Sequence, residues 1–244
     1  MARASHGRLR GRCRAEWPRG SEGARGAVGF AVGLAFAWPR LGGTTLLPLG
    51  SRSGRTVAFA RVAKRLEVPS ATLQLSGLAL AQAAWNVSEL EAGATLCPLA
   101  FLRRGENLQL MRFEADSQDV AIRGGRAELA KQQSTLDAWA FAREGLIDGR
   151  AFEVGEVRSS EKGKLDVIAV DAWSHEMEEA VTVIQAYQPS SSGRFRVLGE
   201  AMIVAKGETV EGAKADRMRR QVYAGVKKHE KVAPVWETWR GEAD

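Results

Sequence analysis

From about residue 66 onward, apolar and polar positions fall into short, bounded runs; before that point they do not. After Pro69, residues 71–85 place Leu73, Gly77, Leu80 and Ala84 at helical spacing, although Leu73 and Leu75 also fit a strand. Ser70 suits the N-cap, because its hydroxyl can accept from the free amides of the first turn. Two strand-like runs follow, 97–104 and 108–114, and the turn of Gly105, Glu106 and Asn107 between them predicts a β-hairpin. Pro98 cannot donate to a ladder and belongs at an edge or a strand start. Residues 116–131 predict a second helix, with Asp116 as its cap and Asp119 at the favourable end of the dipole. Gly124 and Gly125 lie inside it, and each glycine costs about 0.5–1 kcal/mol relative to alanine. Either that helix comes very close to a sheet there or it breaks.

The second half alternates more regularly. Runs at 138–147 and 150–157 flank Asp148-Gly149, the residue pair favoured in a type I′ hairpin turn because both central residues need positive φ. Strand-like runs follow at 165–172, 180–188 and 195–205, separated by the polar loop 159–164 and the turn 190–193, with Gly199 marking a bulge. Residues 210–228 then predict a third helix. Its apolar stripe runs through Val210, Lys214, Met218, Val222 and Val226, and its other faces carry Arg217, Arg219, Arg220, Lys227 and Lys228. The predicted fold class is α+β: a mostly antiparallel sheet of about six to seven strands with two to three helices, because the connections are short. No repeat of fixed period is visible.

Charge divides the chain in the same place. The whole sequence of 244 residues holds 35 Lys and Arg against 29 Asp and Glu, a formal net charge of +6. The first 65 residues hold 12 Arg and one Lys against Glu16 and Glu22, a net of +11. Residues 66–244 therefore hold 22 basic and 27 acidic side chains, a net of −5. A nucleic-acid-binding domain carries its basic face on the folded part. Here the basic charge lies in the leader, so nucleic acid is not expected as a partner of the folded domain. The expected organisation is a basic Gly/Arg-rich leader at 1–65 of low order, a single α+β domain at 66–230, and a tail at 231–244 that carries tryptophan.

In the leader, residues 1–26 are dominated by Arg and Gly and lack the apolar surface to offset the entropy of ordering them. Residues 27–38 form a continuous apolar run of 12, shorter than the roughly 20 apolar residues a membrane-spanning helix needs. That run suits the apolar region of a secretory signal, and Ala35-Phe36-Ala37 has the form of a cleavage site. An Arg-rich, acid-poor leader also fits a transit peptide. High-GC coding sequence translated upstream of a true start would give the same composition. The expectation is a cytoplasmic protein, with export through residues 27–38 left open and a cleaved or untranslated leader tested by sequencing the mature N-terminus.

Candidate chemistry is sparse. His175, in the stretch Trp173-Ser174-His175-Glu176-Met177-Glu178-Glu179, could join Asp171 and Glu178 in an acid–base or metal cluster, since imidazole and carboxylates are the common ligands. The familiar helical zinc motif needs a second His four residues on, and position 179 is Glu. The competing reading is a solvated acidic loop with an exposed histidine. His6 and His229 lie in polar, basic stretches with less context still. There is no G-x-S-x-G elbow, no G-x-G-x-x-G and no P-loop, and Ser190–Ser192 occupy a plain turn. Cys13 and Cys97 lie in different parts of the chain, so neither a disulfide nor a cysteine-based zinc site is expected, and Cys97 reads as a buried small hydrophobe. Asn86-Val87-Ser88 is a glycosylation sequon, meaningful only in a secreted eukaryotic protein.

Of seven Trp, Trp85, Trp139 and Trp173 fall in or beside predicted elements and read as core. Trp236 and Trp239 fall in the polar tail, where exposed tryptophan would suit an interface. The sequence supports two functions. The first is a non-enzymatic protein-interaction module, with protein partners or self-association through a sheet face, the basic helix (Arg217, Arg220) and the tail (Trp236, Trp239). The second is a hydrolase or metal-dependent enzyme using Asp166, Asp171 and His175. No cofactor is expected, and no set of metal ligands is assigned.

Overall fold

The computed structural model describes residues 67–91, 93–148 and 163–241. Its first helix, α1 (Ser70–Ser88), is apolar on nearly every side, and Leu73, Leu75, Ala79, Leu80, Ala81, Ala83 and Ala84 are all at most 2 % exposed. A helix without a polar face must be covered on more than one side. α1 lies across the central strands of a sheet, with a second helix against it. Pro69, whose extended backbone leads into the helix, is the N-cap; Ser70 is already helical and does not cap.

The sheet has seven antiparallel strands: β1 (Leu99–Arg104), β2 (Asn107–Arg112), β3 (Ala138–Asp148), β4 (Lys164–Ser174), β5 (Val181–Gln188), β6 (Arg196–Ala205) and β7 (Glu208–Thr209). Their order across the sheet is β2-β1-β3-β4-β5-β6-β7. The predicted α+β class is therefore the observed one. The hairpin between β1 and β2 closes on two residues, Gly105 and Glu106, with Gly105 at φ 57°. A glycine of positive φ in the first central position is the type II′ arrangement, which matches the strand twist.

A type I′ turn occurs where the sequence did not advertise it, at Lys206 (φ 53°) and Gly207 (φ 77°) between β6 and β7. Of the predicted Asp148-Gly149 turn, Asp148 ends β3, while Gly149 and the predicted strand 150–157 lie outside the described residues. β3 pairs with β4 along its whole length, from Ala138↔Ser174 to Asp148↔Lys164. The bulge predicted at Gly199 lies where the β5–β6 register shifts, and Gln185 donates there to the carbonyls of Leu198 and Gly199.

The remaining helices are α2 (Gln118–Gln132), α3 (Gly212–Val226) and the short α4 (Trp236–Arg240). α2 is capped by Ser117, whose hydroxyl accepts from the Val120 amide, and not by Asp116. It runs unbroken through its two glycines. A Cβ on Gly125 would stand 2.8 Å from the Phe141 ring and 3.0 Å from that of Phe113, whereas Gly124 faces open space. The close approach seats α2 on one face of the sheet, over Ala100, Leu102, Trp139, Phe141 and Trp173, with Leu129 and Ile122 reaching down into that cluster.

α1 and α3 occupy the other face, and α1 and α3 touch backbone to backbone. A Cβ on Gly77 would come within 1.8 Å of the Val222 carbonyl oxygen, and one on Gly225 within 2.0 Å of that of Gln74. Hydrogen bonds from Gln74 to Gln221 (2.9 Å) and from Lys228 to Gln74 (2.6 Å) flank the contact. The buried stripe of α3 is Ala215, Met218, Val222, Gly225 and Val226; Lys214, predicted within it, is exposed. Among the described residues no helix is long and apolar enough to cross a membrane.

Candidate functional site

Asp166 and Asp171 both lie on β4, an odd number of residues apart, so their side chains alternate to opposite faces of the sheet. Asp171 faces α2 and is 8 % exposed. It accepts from Thr182 Oγ1 at 2.9 Å and from Arg126 at 3.2 Å, and Arg143 approaches at 3.5 Å while donating to the Ala169 carbonyl. Burial pulls the Arg143 guanidinium below its usual range, and the Asp171 carboxylate opposes that shift. The cluster ties α2 to β3, β4 and β5 through charge-assisted hydrogen bonds.

His175 sits beyond the end of β4, exposed, with its backbone amide donating to the Asp137 carbonyl at 3.0 Å and its Nδ1 lying 3.3 Å from the same oxygen. The three residues proposed as an acid–base group thus go to two faces and a turn. Glu178 is exposed in that turn region as well. Among the described residues there is no group of three or more His, Cys, Asp or Glu that could hold a metal ion.

Asp166 belongs to a different group, on the face that carries α1. Its neighbours there are Glu144 of β3 and Tyr187 of β5, the latter its direct cross-strand partner. Glu144 accepts from the Leu96 amide at 2.8 Å and from the Tyr187 hydroxyl. Burial raises the Asp166 carboxyl above the usual carboxylate range, and the charge of Glu144 raises it further. Burial and then Glu144 likewise push the Tyr187 hydroxyl up.

A carboxyl whose folded-state pKa is raised contributes stability that is present below its unfolded pKa, about 3.9, and lost as pH rises through the folded value. Asp166→Asn should therefore match the unsubstituted chain near pH 3. It should exceed it at pH 7 by about 0.5 kcal/mol, a magnitude that allows for solvent screening of a half-buried group. Urea midpoints at the two pH values measure this, and an Asn variant less stable at pH 7 would mean that the Asp166 charge is compensated in the fold.

A cleft beside the start of α2 is lined by Thr95, Leu96, Pro98, Ala115, Asp116, Ser117, Gln118 and Ala121, with Asp116 its one titratable group. His229, passed over in the sequence for want of context, is buried. Its Nδ1 accepts from the Val232 amide and its Nε2 donates to Gln82 at 3.2 Å, joining the end of α3 to α1. Burial lowers its pKa, so it sits neutral in the fold. Cys97 is half-buried, and its thiol donates to the Phe113 carbonyl at 3.3 Å.

The tail departs from expectation. Trp236 is 1 % and Trp239 9 % exposed, so neither presents an interface. Trp239 meets Phe195 edge to face (centroids 4.8 Å apart) and lies 6.4 Å from Trp85, and Trp236 lies 6.2 Å from Tyr223. Arg240 bonds Glu200 at 2.5 Å and stands over the Tyr223 ring. The tail closes the core over β6 and α3. Arg217 and Arg220 are exposed on α3, on the β6 side of the sheet.

Exposed apolar surface collects elsewhere, at the opposite edge. All but one residue of β2 is exposed, and Leu108 and Leu110 are 45 % and 37 % exposed. The Phe113 amide donates inward to the Pro98 carbonyl at 2.9 Å, continuing the β1–β2 register. In an antiparallel pair the residues facing each other through hydrogen bonds alternate with those that do not. The odd-numbered positions of β2 therefore bond to β1, and the N–H and C=O groups of Leu108, Leu110 and Arg112 point outward. Sequence reasoning did not find this surface, because which strand lies at the edge is decided by topology. No family model matches this chain, and no curated protein and no solved structure matches it either.

Proposed function

We propose that this domain is a non-enzymatic protein-interaction module and that its docking surface is the outer edge of β2, which adds an extended segment of a partner to the sheet. The observation that carries this reading is the six-residue edge strand with Leu108 and Leu110 exposed on it. An edge strand offers unpaired backbone groups to any extended chain, and proteins that do not use such an edge commonly shorten it or place lysine, proline or a bulge on it. β7, at the other edge, has two residues. β2 carries no lysine, proline or bulge, and its one charge, Arg112, stands at its end: its residues are Asn107, Leu108, Gln109, Leu110, Met111 and Arg112, in unbroken register with β1.

Strand addition draws affinity from the main chain and selects side chains at alternate positions. The segment that fits has apolar side chains at alternate positions opposite Leu108 and Leu110. Arg103 and Arg112 share their side of the sheet, at the register positions Arg103↔Leu108 and Leu99↔Arg112. This reading moves the surface away from the tail, since Trp236 and Trp239 are in the core.

Peptide display against the immobilised full chain tests it. Peptides retained by the unsubstituted chain are expected to be lost on Leu110→Pro. That change removes one outward amide and none of the bonds to β1, a position where an edge strand tolerates proline. The Leu108→Lys, Leu110→Lys double variant is expected to lose the same peptides. Retention by both variants would place the docking surface elsewhere.

A further inference from the structure

We infer that the occupant of the β2 edge is a second copy of this chain, paired strand to strand about a two-fold axis through Gln109; this rests on the reading of β2 as the docking edge. A new antiparallel neighbour can bond only to the outward groups, which belong to the even-numbered positions. In a two-fold pair an even position of one copy must therefore face an even position of the other. That leaves few registers, and charge chooses among them.

With the axis at Gln109, Leu108 faces Leu110 twice, and Glu106, in the turn just before β2, comes level with Arg112 at both ends. With the axis at Leu110, Leu108 would face Arg112. With it at Leu108, Glu106 would face Leu110. With it at Met111, Leu110 would face Arg112 and Leu108 would face Glu114. Each of these sets a leucine against a charge.

The row acid, leucine, leucine, arginine at 106, 108, 110 and 112 is complementary to its own reverse. A foreign partner would need apolar residues opposite the leucines, and nothing about binding it would require that symmetry. Glu106 and Arg112 have no ion-pair partner among the described residues, so both are available. The two leucine pairs leave water together, and cross-strand opposite charges stabilise where like charges directly opposite destabilise. Such an interface is isologous, the same patch on both copies, and it closes at two.

Sedimentation velocity of the full chain over a concentration series, with charge reversal, tests the pairing. The unsubstituted chain is expected to dimerise reversibly. Glu106→Arg and Arg112→Glu should each weaken the dimer by about tenfold or more, because each sets like charges opposite one another at both ends. An equimolar mixture of the two single variants should recover association, since two cations of one chain then face two carboxylates of the other. The chain carrying both reversals should recover it as well.

Gln109→Cys should form a disulfide across the axis on mild oxidation. Directly opposed residues of a non-hydrogen-bonded pair stand about 4.5 Å apart at Cα, within disulfide reach. The unsubstituted chain, with Cys13 and Cys97, is the control. A chain that stays monomeric at every concentration, or a dimer indifferent to both single reversals, overturns the second copy as occupant. If that chain still retains displayed peptides that Leu110→Pro loses, the docking edge stands and only the occupant is wrong. If neither association nor peptide retention depends on β2, both fail.

Discussion

Gly225→Ala is expected to destabilise the domain by about 3 kcal/mol, with Gly77→Ala alongside it, read as a lower urea midpoint at unchanged slope. Intrinsic preference argues the other way. Alanine is better than glycine in a helix interior by about 1 kcal/mol. A Cβ at Gly225, however, would lie 2.0 Å from the Gln74 carbonyl oxygen and one at Gly77 1.8 Å from that of Val222, and both obstacles are backbone. A side chain can swing away, but a helix backbone has to move as a whole, so α1 and α3 would separate. The hydrogen bonds between Gln74, Gln221 and Lys228 would go with them.

Gly124→Ala supplies the control on helix preference alone. Nothing lies within 4 Å of its Cβ position, and the substitution should stabilise by about 0.5–1 kcal/mol. Gly225→Ala at or above the stability of the unsubstituted chain would mean that the two helices can part at no cost.

Trp236→Ala should cost about 3–5 kcal/mol, the range for removing a large aromatic from a core. Trp236 is 1 % exposed and stands against Tyr223 and Trp239, so the loss opens a cavity bounded by α3 and β6, which have no freedom to close it. Trp239→Ala should also destabilise, through Phe195 and Trp85. Thermal unfolding followed by near-ultraviolet circular dichroism reports both. A Trp236→Ala chain that melts with the unsubstituted one would return the tail to the surface, where the sequence had suggested it.

Most strands could be read from alternation because each is local. The runs 97–104, 108–114, 138–147, 165–172, 180–188 and 195–205 lie within a few residues of β1 to β6. β7 escaped because it is two residues long and follows a turn in which Lys206 takes a positive φ, a conformation its side chain does not announce. Trp236 and Trp239 were misplaced for a different reason. Their sequence neighbours are polar, and the partners that bury them come from far along the chain: Trp85 from α1, Phe195 from just before β6 and Tyr223 from α3.

The separation of Asp166 from Asp171 was within reach of the sequence. An odd spacing on one strand sends two side chains to opposite faces, and both residues were already assigned to that strand. The arginines on Asp171 were not within reach, because Arg126 meets it only after α2 has folded onto the sheet and Arg143 only once β3 has paired with β4. The exposed apolar edge required the whole strand order, in which β2, early in the chain, ends up outermost.

The contact between α1 and α3 joins residues 147 positions apart, Gln74 and Gln221. On a ribosome, α1 is made long before α3. Synthesis proceeds at about 5–20 residues per second. For several seconds at least, a helix apolar on nearly all sides waits without the partner that its Gly77 surface is shaped for. The final tightening of the core therefore comes only when the last stretch of the domain leaves the exit tunnel.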